Sequence, residues 1–142
     1  MKANYRKRLN KLSNKVAIIA ANGGLFDAYK VFNIATAAAA SDKEVQIFFT
    51  FEGLNLIHKQ GMHALEMPAG KEHFAEGFAK ANVPAIPQLV EMAQDLGVEF
   101  NARQMTMDVM GLTKEDFVDG INVGGAVTFL EYAKDAAPTL TF

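Results

Sequence analysis

The residues best suited to chemistry follow a short apolar run in the second half of the sequence. Val98–Ala102 is typical of a buried strand, and Arg103 and Gln104 come directly after it. In α/β proteins, ligands and catalytic groups collect at the carboxyl ends of strands. A guanidinium there can hold a carboxylate, a phosphate or a sulfur oxyanion by paired hydrogen bonds. The alternative is an arginine at the surface or at a subunit interface.

Three glycine-containing loops follow predicted strands or lie beside them, and we expect them to line one pocket with Arg103. They are Asn22-Gly23-Gly24, Glu52-Gly53 and Gly124-Gly125. Free backbone N–H groups at the start of a following helix can bind an anion. None of the loops matches a nucleotide-binding glycine motif, so a plain tight turn is the competing interpretation.

Soft and imidazole ligands are present but lack the spacing of a metal site. Met105, Met107 and Met110 place three of the seven methionines within six residues. Methionine suits an adaptable binding surface or Cu(I), but a metal site needs more converging ligands, so we predict core or interface packing. The histidines are not spaced as a helical metal pair. No metal and no cofactor is predicted.

The composition excludes several kinds of chemistry. The 142 residues include no cysteine, which rules out disulfides, persulfide carriage and cysteine nucleophiles on this chain. No nucleophile elbow or paired-carboxylate motif is present, so no catalytic residue is predicted. Half of the residues are hydrophobic, which predicts one domain with a real core. The longest apolar run, Val16–Ala21, is too short to span a bilayer, so we expect a cytoplasmic protein.

A basic N-terminal arm precedes the predicted domain, which covers residues 16–142. Residues 1–15 carry six Lys or Arg and no acid, whereas the rest has eight basic against sixteen acidic residues. Such an arm either contacts an anionic partner or is a solvated terminus. Six charges are a weak nucleic-acid signal, and no nucleic-acid partner is expected.

Alternating strand and helix patterns predict a mostly parallel α/β sheet of about five strands. The predicted strands are Lys15–Ala21, Val45–Phe51, Val98–Ala102, Gly120–Val123 and Thr139–Phe142. The predicted helices are Asp27–Ala40, Leu54–Gln60, Lys71–Lys80, Pro87–Leu96, Gln104–Leu112, Thr113–Asp119 and Ala126–Ala136. Apolar spacing directs two sets of side chains inward: Leu89, Val90, Ala93 and Leu96, and Val127, Leu130 and Ala133.

The segment Ala102–Gly111 resembles the DsrE/DsrF family of sulfur-relay proteins, in particular its DsrE2-like branch. That branch usually shows Ala-Cys-x-Met-x-Met-Asp-Val-Met-Gly, and this chain has Arg103 in the place of the cysteine. The segments Ile47–Lys59 and Val83–Val98 are also similar to that branch, as are the first glycine loop and Gly120–Gly125.

The resemblance implies a flavodoxin-like three-layer sandwich, a homo-oligomer (trimer, tetramer or hexamer) and a sulfur-relay partner protein. It also implies that cysteine-dependent sulfurtransferase activity is lost at Arg103. One hypothesis is therefore a non-catalytic subunit for binding or assembly. A second is a protein that binds an anion or nucleotide in the pocket at Arg103. A third, weaker hypothesis is residual sulfur transfer in which a partner supplies the thiol.

Overall fold

A computed structural model of the chain describes Lys2, Asn4 and residues 14–142. The predicted basic arm lies outside the described residues except for Lys2, Asn4, Asn14 and Lys15, and Lys15 already begins the first strand. Between residues 14 and 142, no helix combines the length and apolar character needed to cross a membrane.

Five parallel strands form a single sheet. They are β1 (Lys15–Ala20), β2 (Glu44–Phe49), β3 (Glu99–Arg103), β4 (Asn122–Gly124) and β5 (Thr139–Thr141). Their order across the sheet is β4-β3-β2-β1-β5, and every pair is parallel. The continuous apolar run of β1 suits a strand with neighbours on each side and helices over both faces. The predicted parallel α/β class is confirmed.

Helices cover both faces of this sheet and make three layers. They are α1 (Leu25–Ala40), α2 (Phe74–Lys80), α3 (Ile86–Asp95), α4 (Gln104–Met110) and α5 (Ala126–Ala133). On one face α1 packs against α3, and α5 covers the other face. The short helix α2 stacks on α1 through aromatic rings. The short helix α4 follows β3 without a loop.

The core between the sheet and α1 is centred on three phenylalanine rings. Phe32, Phe49 and Phe100 are each at most 1% exposed, and their ring centroids lie 5.5 to 6.3 Å apart. Each such aromatic pair adds about 0.5–1.5 kcal/mol beyond its buried area. Because side chains alternate along a strand, the intervening residues of β2 and β3 face α5 instead.

Several predicted boundaries are wrong because 3₁₀ helices replace regular elements. The strand β2 ends at Phe49, and a 3₁₀ helix begins at Phe51, whose φ of +47° is incompatible with a strand. That 3₁₀ helix, Phe51–Leu56, lies where the end of one strand and the start of a helix were predicted. Another, Lys114–Asp116, replaces the predicted helix Thr113–Asp119.

Two predicted inner faces also differ from the structure. Val127 and Leu130 of α5 are 75% and 62% exposed, whereas Phe129 and Tyr132 contact Phe48 of the sheet. This helix is apolar on both sides, so hydrophobic spacing alone selected the wrong side. Leu96 is 43% exposed and lies one residue beyond the end of α3.

Candidate functional site

Arg103 ends β3 at the carboxyl edge of the sheet, as predicted. It is in register with Gly124 of β4, and α5 begins two residues later. Asn101 lies two residues before Arg103, so both side chains point to the α5 face. Both line a cleft between the sheet and the start of α5. Strand alternation thus directs the amide of Asn101 and the side chain of Arg103 to the same face of the sheet.

The walls of this cleft are mostly apolar. Ile19 and Phe48 contribute from the sheet, and Ala126 and Phe129 contribute from α5. The rings of Phe48 and Phe129 meet edge to face, with centroids 4.8 Å apart. The empty space, counted out to the open mouth, is about 430 Å³. We call this space the Arg103 cleft.

The polar groups of the Arg103 cleft have unused hydrogen-bonding capacity. Arg103 is half-buried, and across residues 14–142 its guanidinium makes no ion pair or hydrogen bond. Asn101 is 6% exposed, and its Nδ2 donates to Gln46 Oε1 at 3.4 Å. No hydrogen bond from the described residues reaches Asn101 Oδ1. The helix α5 starts at Gly125 without a side-chain cap, so its first N–H groups add partial positive charge nearby.

Thr106 fixes the loop that borders the Arg103 cleft at Thr50. The Thr106 side chain is fully buried, and its Oγ1 accepts the Phe51 N–H at 3.2 Å and lies 3.3 Å from Thr50 Oγ1. Phe51 has a positive φ, a conformation that costs a bulky residue about 1–3 kcal/mol. The buried hydroxyl therefore holds a strained turn beside the cleft.

The first two glycine loops lie in a different cleft, so the prediction of one common pocket is wrong. Gly23, Gly24 and Glu52 line a separate cleft at the start of α1, together with Asp27 and Glu66. The Gly24 N–H donates to Asp27 Oδ2 at 3.2 Å, and the Leu25 N–H donates to the Glu66 carbonyl oxygen at 2.8 Å. Because these N–H groups are used and three carboxylates surround them, the loop is unfavourable for an anion.

Three other predicted pocket residues lie away from the Arg103 cleft. Gln104 Nε2 donates to Asp108 Oδ1 at 2.8 Å, which holds its side chain along the surface of α4. Asn22 is exposed and lines neither cleft. Gly53 is buried against the backbone of Ala20, so close packing explains this glycine. Of the predicted pocket residues, the structure brings together Arg103, Gly124 and Gly125.

The three methionines predicted at an interface separate into two groups. Met107 is 3% exposed and belongs to the core of its own chain, so it is not available to a partner. Met105 and Met110 are each 47% exposed and remain candidates. The helix α4 thus uses one methionine for packing and presents two outward.

Sequence reasoning missed Asn101, Phe48, Phe129 and Thr106. Strand alternation could have found Asn101, because it precedes Arg103 by two residues. It could also have paired Phe48 with that face, because Phe48 and Asn101 are register partners on β2 and β3. Nothing in the residue pattern distinguished Phe129 from the other apolar residues of α5, or showed that Thr106 bonds the turn at Phe51.

Comparison with known proteins defines the class. Residues 12–79 and 62–141 match the DsrE/DsrF/DrsH-like family, and the chain belongs to that family. This confirms the assignment predicted from the sequence.

Two relatives match almost the whole chain. The "Sulfur carrier protein DsrE2" of Allochromatium vinosum is 34% identical over 149 residues, covering 86% of this chain and 94% of that protein. The "Uncharacterized protein YrkE" of Bacillus subtilis is 31% identical over 158 residues, covering 93% of this chain and 99% of that protein.

Solved structures show the same fold at low sequence identity. The ychN protein from E. coli has a TM-score of 0.68 at 16% identity and covers 91% of this chain and 99% of its own. The protein MTH1491 from Methanobacterium thermoautotrophicum has a TM-score of 0.56 at 12% identity and covers 92% of this chain and 100% of its own. These similarities support the three-layer α/β architecture.

Proposed function

We propose that the protein is a binding subunit of a sulfur-relay type, which holds an anion at Arg103 by non-covalent contacts. The observation that carries the proposal is a half-buried arginine without a partner in residues 14–142, at the edge of an apolar cleft. By the resemblance to the DsrE2-like pattern, this is the position of the family's cysteine. The sulfur-carrier name of one relative supports the relay context. The chain has no thiol on which to form a persulfide. The predicted cytoplasmic location is part of this proposal.

Arg103 has no counter-charge among residues 14–142, so its guanidinium is available to pair with an anion at the cleft. A guanidinium offers two parallel N–H donors to a carboxylate or oxyanion, which gives geometric specificity as well as attraction. Asn101 and the first turn of α5 supply further polar groups at the same mouth. An oxyanion bound there would share these donors.

Thermal denaturation with sulfate, thiosulfate, phosphate and acetate at constant ionic strength tests the proposal. A ligand at ten times its Kd stabilises the folded state by about 1.4 kcal/mol. Arg103→Gln should abolish that stabilisation. Arg103→Lys should keep part of it, because lysine retains the positive charge but lacks the paired N–H donors of the guanidinium. Lys114→Gln removes the same charge elsewhere and is the matched control. The proposal fails if no anion stabilises the wild type more than Arg103→Gln.

A second candidate function, assembly with further copies of this chain, is supported by an apolar surface on α4 and α5. Its large side chains are 47 to 75% exposed: Met105, Val109, Met110, Val127 and Leu130. Both helices follow neighbouring strands, so they start at the same edge of the sheet. Large exposed apolar side chains, where they form one patch, favour a protein partner over water. We propose that the occupant is a second copy, in a trimer, tetramer or hexamer.

Native mass spectrometry of the full chain tests the assembly. Val109→Glu combined with Leu130→Glu should convert the oligomer to a monomer, because each buries a charge at the contact. Met92→Glu combined with Leu96→Glu is the matched control, since these side chains are 45% and 43% exposed on or beside α3. A wild-type protein that stays monomeric at high micromolar concentration would exclude this candidate.

A further inference from the structure

We propose that the ligand of the Arg103 cleft is a small organic acid with one carboxylate and a flat apolar body. The carboxylate would pair with Arg103, and the apolar body would lie against Phe48 and Phe129. This inference rests on the proposed anion binding and specifies the class of ligand. It separates organic acids from inorganic oxyanions and from nucleotides.

The charge of the lining residues favours a ligand with a single negative group. Among the described residues that line the cleft, Arg103 is the sole charged side chain. One guanidinium matches one carboxylate, whereas a di- or triphosphate would bring several charges to a site with a single counter-charge. An acid with one negative group is therefore the electrostatic match.

The apolar walls of the cleft favour a ligand that has an apolar body beside its charge. Phe48, Phe129, Ile19 and Ala126 surround the space beyond the polar mouth. An inorganic oxyanion satisfies Arg103 but leaves these surfaces uncovered. A ring or branched chain attached to the carboxylate would bury them, and burial of apolar surface is favourable in proportion to its area. The edge-to-face arrangement of Phe48 and Phe129 presents ring surfaces that a further flat group can contact.

Asn101 offers a further polar contact inside the cleft. Asn101 is 6% exposed as a whole residue. Its Oδ1 accepts no hydrogen bond from residues 14–142. No fully buried side-chain N or O atom of the described residues lacks a partner, so this oxygen retains some access and can accept a hydrogen bond from a ligand or a water.

Isothermal titration of the full chain with three matched probes tests the ligand class. Benzoate has both the charge and the ring, acetate has the charge alone, and benzyl alcohol has the ring alone. We expect benzoate to bind at least about tenfold more tightly than either of the others. Arg103→Gln should reduce benzoate to the level of benzyl alcohol. Phe129→Ala should lower the benzoate-to-acetate ratio of affinities several-fold, because Phe48 remains as the second ring of the wall.

The outcomes separate this inference from the proposed function. If acetate and benzoate bind equally and both are lost in Arg103→Gln, the ligand class is overturned while anion binding stands. If none of the three probes binds while sulfate, thiosulfate or phosphate stabilises the wild type through Arg103, the ligand class is overturned and anion binding stands. If binding survives Arg103→Gln unchanged, or if no anion of either set binds, both proposals are overturned.

The aromatic wall has its own controls. Phe129→Leu keeps bulk without the ring and should give an intermediate benzoate-to-acetate ratio. If circular dichroism shows that Phe129→Ala is unfolded, Phe129→Leu replaces it as the test variant. Met92→Ala removes an exposed apolar side chain of α3 and should leave the ratio unchanged. A wild-type ratio in Phe129→Leu as well as in Met92→Ala overturns the inference.

Discussion

Gly53 lies so close to the backbone of Ala20 that a methyl group on its Cα would overlap the Ala20 carbonyl group. The loop after β2 and the end of β1 therefore share a contact that glycine alone permits. The neighbouring loop repeats this relationship, because a methyl group at Gly23 would overlap the Glu52 carbonyl oxygen. Close approach, rather than ligand binding, explains these two glycines.

The contact predicts a large loss of stability in Gly53→Ala. The overlapped atoms belong to the backbone and cannot rotate away, so we expect a loss at or above the usual overpacking cost of about 1–3 kcal/mol. Urea unfolding followed by circular dichroism measures it. Gly77→Ala is the matched control, because nothing lies within 4 Å of its added methyl group. Equal midpoints for the two variants would contradict the packing argument.

Met107 and Met105 should differ sharply in their contribution to stability. Truncation of a buried methionine to alanine typically costs about 2–5 kcal/mol, and Met107 is 3% exposed in the core. Within a single chain Met105 is 47% exposed, and surface substitutions usually stay within about 0.5 kcal/mol, so its loss should be small at a concentration where the protein is monomeric. The free energies of unfolding of Met107→Ala and Met105→Ala, compared at one protein concentration, test this. Similar losses would show that α4 packs differently.

The sequence was sufficient for the parallel sheet, because a strand buried on both faces is continuously apolar, as Val16–Ala20 is. It was also sufficient to place Arg103 at the carboxyl edge. The sequence was insufficient to predict which loops line a common pocket. That grouping depends on the order of the strands in the sheet and on which helix covers each face. The first two loops open at the start of α1, whereas Gly124 and Gly125 open at α5. A residue pattern does not encode that separation.

Tyr132 should make stability depend on pH in the alkaline range. It is 7% exposed, and its Oη donates to the carbonyl oxygens of Glu44 at 3.1 Å and Val16 at 3.4 Å. Burial raises the pKa of this phenol well above its ordinary value, and the Glu44 and Glu99 carboxylates add to the effect. Because the folded pKa exceeds the unfolded value of about 10, this stability is complete below pH about 10 and declines as the pH rises further.

Tyr132→Phe isolates that effect. At neutral pH the variant should lose about 1 kcal/mol with the hydrogen bonds. Above pH about 10 this difference in the free energy of unfolding should shrink. Ionisation of the Tyr132 phenol then stabilises the unfolded state of the wild type, and the variant has no phenol at this position. Urea unfolding at pH about 8 and about 11 compares the two. A difference that stays constant or grows with pH would contradict the assigned shift.

The segment from residue 64 to residue 85 should open independently of the core when Phe78 is truncated. No residue of α2 is buried, and Phe78 holds the helix against Tyr29 and Phe26 with centroids 5.0 and 6.0 Å away. Losing two aromatic contacts of about 0.5–1.5 kcal/mol each should raise the open population about tenfold or more. Limited trypsin digestion, with cleavage after Lys71 and Lys80, measures that population.

Phe78→Ala should therefore be nicked about tenfold faster than wild type while the melting temperature of the core changes little. Phe74→Ala is the graded control: its ring is 44% exposed and contacts Phe26 alone of the α1 rings, so its effect should be smaller. Tyr29→Phe removes only the hydrogen bond from its Oη to the Pro84 carbonyl oxygen at 2.9 Å and should fall between wild type and Phe78→Ala. Degradation of the whole chain without nicked intermediates would show instead that this segment unfolds together with the sheet.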